Sequence, residues 1–287
     1  MNLAVGFFDG VHLGHRRILA QADVALTFRN HPATVFAPSA APRLLMTAET
    51  RRAVLATALR PGTDLAAADR VRMLDFTPAF AALSPEAFAA SLRRDFPTLE
   101  TIFCGPNWTF GAKGAGTADF LRARGFHVDV VSFAEQAGRP ISSTRIRQAI
   151  ASGDWADATA CLGRPWRVEG VVASGKGLGR ELGFPTLNVQ LDAALVEPPR
   201  GVYAVRTPWG AAVANWGCAP TLGARAWTMP VLEVHLLEAK PTETPAVCTV
   251  DFCAFLRSER TFPSLAALQA QIADDLRAAR TALGLTR

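Results

Sequence analysis

Residues 6–19 read GFFDGVHLGHRRIL, with His12 and His15 three apart and Gly14 directly before the second. They follow a short apolar start, where a strand gives way to a helix. A helix start carries roughly half a positive charge and several unpaired N–H groups, so it receives phosphate well. His-x-Gly-His at such a place adds two side-chain donors on one side of the first turn, and Gly14 lets a ligand approach the backbone. Imidazoles placed there can bond the oxygens that gain charge when the α-phosphorus of a nucleotide is attacked. That chemistry is positioning plus electrostatics and needs no covalent intermediate. Alone, the pair reads more readily as a turn cap or a metal pair. A second segment, ISSTRIR at 141–147, changes the balance. Its hydroxyls (Ser142, Ser143, Thr144) and arginines (Arg145, Arg147) suit a second polyphosphate contact at another helix start, although Ser-Ser-Thr is also an ordinary capping run.

The second half carries its own chemistry. Residues 175–188 read GKGLGRELGFPTLN. The glycines, Gly175 and Gly179 among them, make a loop whose amides can wrap phosphate, and Lys176 and Arg180 add charge. It is not the Walker pattern, since no Gly-Lys-Ser/Thr follows at the right spacing. A plain hairpin loop is the ordinary reading of such a run. Thr186 and Asn188 then offer a hydroxyl and an amide carbonyl two residues apart. On an extended segment they point the same way and suit a hard cation such as Mg²⁺.

The elements that must position these groups fall into two textures. Leu3–Phe8 and Asp23–Phe28 read as short apolar strands, and the 14 residues between them barely suffice for a parallel crossover. A helix is expected from about Thr47 to Leu59 and a strand near Arg70–Phe76. Another helix starts at Ser84-Pro85-Glu86. TIFCG forms a strand ending at Gly105, a glycine-rich loop runs to Gly116, and a helix closes at Gly125. FHVDVVS makes a further strand. One helix then opens at Ser142 or Ser143 and another at Asp154, ending at Gly163. This alternation predicts an α/β domain, a parallel sheet with helices on both faces. After Gly163 short apolar runs recur: Val168–Ala173, Val202–Arg206, Ala211–Asn215, Val231–Leu237 and Val247–Phe252. They predict a small β-barrel closed by a C-terminal helix. The expected domains are 1–163 and 164–287.

Composition narrows the class. Of the 287 residues 49% are apolar and 19% charged, enough for sizeable cores. No apolar stretch approaches the ~18–20 residues of a membrane span, and no signal-like segment opens the chain. Five cysteines without a CxxC pair indicate a reduced, cytoplasmic protein with neither disulfide frame nor zinc site. The net charge is +5, but 27 of the 30 basic residues are arginine and they are spread out. No basic block marks a nucleic-acid surface, so neither nucleic acid nor membrane is an expected partner.

GFFDGVHLGH and ISSTRIR together resemble the paired signatures of the prokaryotic bifunctional riboflavin kinase/FMN adenylyltransferase (FAD synthetase) family. LTFRNHP, RLLMTAETR and GPNWTFGAKGAG are similar to further family segments. In the second half GKGLGRELGFPTLN, PRGVYAV, NWGCAPTL and LEVHLLE are too. The resemblance implies a Rossmann-like nucleotidyltransferase domain followed by a flavokinase barrel. Carried over, His12 and His15 contact ATP phosphates, with Gly6, Phe8 and Gly14 around them. Ser143, Thr144 and Arg147 hold the nucleotide from the other side. Asn107 lines the flavin-phosphate pocket, where residue type alone reads equally as a loop asparagine making its own turn. Phe28, Trp108 and Phe110 could flank the isoalloxazine ring, although taken singly each reads first as core. His31 matches a family position, where the neighbouring Pro32 suggests a conformational role. In the barrel Gly175, Lys176, Gly179 and Arg180 take ATP phosphates while Thr186 and Asn188 hold Mg²⁺. Glu233 is the general base, supported by Glu238; on pattern alone Glu233 is an exposed strand residue. Substrates implied are riboflavin, FMN and ATP, and FAD is the product. A homo-oligomer is compatible with all of this.

The chain departs from the pattern in three places. The crossover after His15 is about ten residues shorter than the family's, leaving roughly two helical turns. Leu187 replaces an alanine. The D-x-YG turn after the Glu strand is replaced by EAKPTETPAV. The altered turn keeps open a single-activity FMN adenylyltransferase with an impaired kinase; a non-catalytic flavin-binding regulator that kept the pockets but lost turnover is a second alternative. An adenylyltransferase for another acceptor shares the His-x-Gly-His signature but leaves the GFPTLN domain unexplained.

Overall fold

The computed structural model describes all residues except 64, 67, 174–183, 218–229, 239–242 and 286–287. They form two compact units, Met1–Ser143 and Thr144–Arg287.

The first unit is built on five parallel strands: β1 (Asn2–Val5), β2 (Val24–Phe28), β3 (Val71–Leu74), β4 (Thr101–Cys104) and β5 (His127–Val130). Their order is β3-β2-β1-β4-β5. Leu3 pairs with Val24 on one side and Ile102 on the other, so β1 lies at the centre. The strands are short and apolar, as parallel strands covered on both faces must be. The connecting helices are α1 (Leu13–Leu19), α2 (Ala33–Phe36), α3 (Ala48–Ala58), α4 (Pro78–Ala81), α5 (Pro85–Asp95) and α6 (Ala118–Arg122). Ser84 caps α5 by accepting from the Ala87 N–H, and Thr47 caps α3 through the Thr50 N–H. The trimmed crossover is the seven-residue α1, anchored by buried Ile18 and Leu19. Leu3, Val5, Ile102, Phe88 and Leu92 centre one core cluster, each contributing roughly 1.5–3 kcal/mol. The first strand stops at Val5 rather than Phe8, and the loop after it takes positive φ at Phe8, Gly10 and Val11 (56°, 81° and 43°). A small hairpin, β6 (Glu135–Gln136) and β7 (Arg139–Pro140), precedes Ser143.

The second unit contains α7 (Ser143–Ser152, whose first residue closes the first unit), α8 (Trp155–Leu162) and a closed barrel. Its strands are β8 (Trp166–Ala173), β9 (Leu187–Leu191), β10 (Gly201–Thr207), β11 (Gly210–Gly217), β12 (Val231–Leu236) and β13 (Val247–Ser258). They close in the order β10-β11-β12-β9-β8-β13, and α9 (Leu265–Ala282) follows. Trp155 of α8 stacks on Phe252 at 5.6 Å between centroids, with Trp166 and Tyr203 beside them. Arg257 forks onto Asp275 at 2.8 and 2.7 Å, fastening α9 to β13. The composition changes at Gly163, the left-handed cap of α8, whereas the compact units divide after Ser143. The helices α7 and α8 therefore pack with the barrel. Strand β9 is an addition to the expected elements, and β13 runs six residues past Phe252.

Candidate active sites

In an open parallel sheet, ligands bind beyond the strand C-termini where the strand order reverses. Here that point lies between β1 and β4. The loop after β1 carries His12 and His15, and the turn after β4 carries Asn107.

His12 is the N-cap of α1, its Nδ1 accepting from the His15 N–H at 3.3 Å. An accepting Nδ1 puts the proton of the neutral ring on Nε2, which becomes a donor. The two imidazoles stack, with centroids 3.5 Å apart and planes 18° apart. Burial, and then the neighbouring His12, hold the His15 pKa well below the usual histidine value. That direction favours the neutral ring, and among the described residues the His15 Nδ1 is buried without a hydrogen-bond partner. Gly14 serves the His12 ring: a Cβ there would meet Cε1 and Nδ1 of His12 at 3.1 and 3.2 Å. Gly6 likewise makes room for the Phe8 ring. Phe8 is buried and stands edge-on to His15 at 5.3 Å. Its side chain packs against His15.

The Ser143 hydroxyl donates to the Asp9 carbonyl at 2.9 Å, tying the ISSTRIR segment to the GFFDG loop. Both Asp9 carboxylate oxygens accept from the Leu45 N–H at 3.0 Å. Thr144 is exposed and Arg147 half-buried in the first turns of α7. Arg145 is committed elsewhere: buried, it forks onto Asp157 of α8, with Nε 2.8 Å from Oδ2. This corrects the expectation that both arginines face polyphosphate.

On the flavin side Asn107 is exposed. Phe110 takes the core alternative, buried against Phe88 and against half-buried Trp108 at 4.9 Å. Phe28 stays half-buried and meets Phe76 and Phe80 edge-on at 5.0 and 5.1 Å. Phe76, Phe80, Asp9 and Arg51 escaped sequence reasoning; the four-residue spacing in FTPAF was the one signal for the first two. His31 accepts from the Ala33 N–H through Nδ1 at 3.1 Å.

In the barrel, Asn188 of β9, Glu233 of β12 and Asn215 of β11 are direct cross-strand neighbours. Residues opposite one another in antiparallel strands share a face, so the three form one polar row. Burial raises the Glu233 pKa most, the Asn215 hydrogen bond opposes this, and Glu259 raises it further. Asn215 had no signal of its own in the sequence. His235, two residues along β12, bonds the Pro185 carbonyl through Nδ1 at 2.9 Å and so holds the segment bearing Thr186. The hydroxyl of Thr186 and the amide of Asn188 are hard oxygen donors beside a carboxylate, a set that fits a divalent cation completed by phosphate oxygens. Gly175, Lys176, Gly179 and Arg180 lie outside the described residues. So does part of the altered turn. Glu238, before it, faces Arg280 of α9 at 3.4 Å.

A family model for FAD synthetase matches residues 1–145, and one for riboflavin kinase matches 162–283. A bifunctional riboflavin kinase/FMN adenylyltransferase from Pseudomonas fluorescens is 37% identical, covering 96% of this chain and 91% of its own. The proteins of that description from Haemophilus influenzae and Escherichia coli K12 are each 34% identical, covering 97% and 99% of this chain and 92% and 93% of their own. A crystal structure described as a macrolide-efflux protein from Streptococcus pneumoniae superposes with a TM-score of 0.79 at 26% identity, covering 97% of this chain and 93% of its own. Among the described residues no helix is long and apolar enough to cross a membrane. With both halves matched in order and nearly the full length shared, the chain belongs to the bifunctional riboflavin kinase/FMN adenylyltransferase family.

Proposed function

We propose that this chain makes FAD in two steps, at two separate sites. The barrel phosphorylates the ribityl 5′-hydroxyl of riboflavin with ATP, giving FMN and ADP. The parallel-sheet domain lets the FMN phosphate attack the α-phosphorus of a second ATP, giving FAD and pyrophosphate. What supports the reading is that each unit holds its own polar cluster, and each cluster coincides with its half of the family signature.

At the first site His12, through Nε2–H, and neutral His15 bond the phosphate oxygens that gain charge as the α-phosphorus is attacked. The helix behind them has only seven residues, so its dipole is weak and the imidazoles carry more of the stabilisation. The roles of Thr144 and Arg147 on ATP, and of Asn107 on the FMN phosphate, rest on the family motifs. Phe28 presents an aromatic edge to the flavin. At the second site Glu233 accepts the hydroxyl proton, and its raised pKa makes it a stronger base than an exposed glutamate. Asn215 orients that carboxylate. Thr186 and Asn188 would hold Mg²⁺, which when bound neutralises charge on the ATP phosphates. The functional boundary is placed at 163/164, supported by the riboflavin kinase match beginning at residue 162. A cytoplasmic location accords with this chemistry.

The test assays the two reactions separately by chromatography of riboflavin, FMN and FAD. His15→Ala is expected to lower FMN adenylylation by roughly a hundredfold or more and leave phosphorylation intact. Glu233→Gln does the reverse, at a cost of roughly 10²–10⁴ in rate. Loss of both reactions from either change defeats the two-site reading.

A further inference from the structure

Arg51 lies on α3 in the segment RLLMTAETR and is completely buried. Taking a guanidinium out of water is costly unless its donors are met, and an apolar side chain of similar volume would avoid the cost. Only Nη2 is satisfied: it donates to the Phe28 carbonyl at 2.5 Å and the Arg29 carbonyl at 2.9 Å. Nε and Nη1 have no hydrogen-bond partner among the described residues. The guanidinium carbon lies 4.2 Å above the Phe7 ring, which stands edge-on to His31 at 4.7 Å. The charges acting on it are the carboxylates of Asp9 and Glu49.

Those contacts are not scattered. Phe7 and Asp9 belong to the loop that presents His12 and His15. Phe28 ends β2 and Arg29 follows it, where the flavin-side segment LTFRNHP turns away from the sheet. The Thr27 hydroxyl donates to the Phe7 carbonyl at 2.9 Å, so β2 and the loop after β1 are already adjoined there. Asp9 in turn receives Leu45 from the approach to α3 and Ser143 from the start of α7. A planar fork that stacks on one face and bonds two carbonyls at one edge can register three segments at once.

We propose that Arg51 is a positioning residue for FMN adenylylation, locking the phosphate-side loop (Phe7 to His15) against the flavin-side end of β2. It touches no substrate and acts through Phe7 and through the carbonyls of Phe28 and Arg29. The proposal rests on the first unit being the adenylylation site. Misplacing a reacting group by about 1 Å costs up to ~10²-fold in rate, so the effect falls on the chemical step.

The experiment compares the full-length chain with Arg51→Lys, Arg51→Met and Val54→Ala. The last opens a cavity in the same helix and leaves every Arg51 contact in place. For both Arg51 variants, kcat and kcat/KM for FAD formation are expected to fall together by roughly tenfold to a hundredfold. KM for FMN and ATP should stay within about twofold, and riboflavin phosphorylation should be unchanged. Lysine is expected not to rescue, since it keeps the charge but not the fork. Unchanged kcat in either variant, or an equal kcat loss in Val54→Ala at a matched fall in Tm, overturns the proposal. Failure of both Arg51 variants to fold overturns it too, because the residue is then structural. The underlying reading fails separately, if His15→Ala still makes FAD at the wild-type rate.

Discussion

Gly14 shows how much a single missing side chain carries. The ring of His12 occupies the space a Cβ would need, at 3.1 Å. In a helix alanine is more stable than glycine by about 1 kcal/mol. Gly14→Ala should therefore leave Tm level or slightly higher while FAD formation falls at least about tenfold, because the displaced ring moves its Nε2 donor. Thermal melts beside the FMN adenylylation assay separate the two effects. His15 makes a pH prediction. Its pKa in the folded chain lies below the usual 6.5, so the unfolded chain binds the proton first as pH falls. The stability due to neutral His15 is complete above about 6.5 and is lost as pH drops through the lowered folded value. Denaturant midpoints of the first unit should decline over that window, and His15→Gln should flatten the decline.

At the level of elements, the barrel is held by two devices that reach outside its strands. The Arg257–Asp275 fork is nearly buried, and removing one partner strands the other charge. Asp275→Ala should cost about 3 kcal/mol and free α9 from β13, read as a lower Tm and faster amide exchange over 265–282. Trp155 is the other device, stacked on Phe252 at 5.6 Å with planes 8° apart. Trp155→Ala should destabilise the second unit by about 3–5 kcal/mol. The helices themselves were legible from caps: Ser84 before Pro85, Asp154 before Trp155 and Gly163 at the end of α8 each do locally what their residue types permit. Strand β9 was not legible, because LNVQL follows directly on the glycine-rich run and reads as part of its loop.

For the whole molecule, the place where the composition changes and the place where the packing divides are different. A fragment 144–287 retains Trp155 against Phe252, whereas a fragment 164–287 leaves that apolar face bare. The longer fragment should melt higher, and the shorter one should bind more of a hydrophobic dye, both measurable on purified fragments. Phosphorylation of riboflavin by the longer fragment alone would further support independent sites.

Periodicity, caps and motifs were enough to determine a parallel α/β half followed by a barrel and the family, and to single out His12, His15, Thr186, Asn188 and Glu233 as the candidates for its chemistry. All of these depend on residue type and on neighbours a few positions away. Only the tertiary structure decided that Arg145 is bound to Asp157, that Phe110 lies in the core under Trp108, and that Asn215 is the partner of Glu233. It also decided that Arg51 joins the loop after β1 to the end of β2. Each of these is a contact between segments distant in the chain, where strand register and burial, not local pattern, choose which polar group meets which.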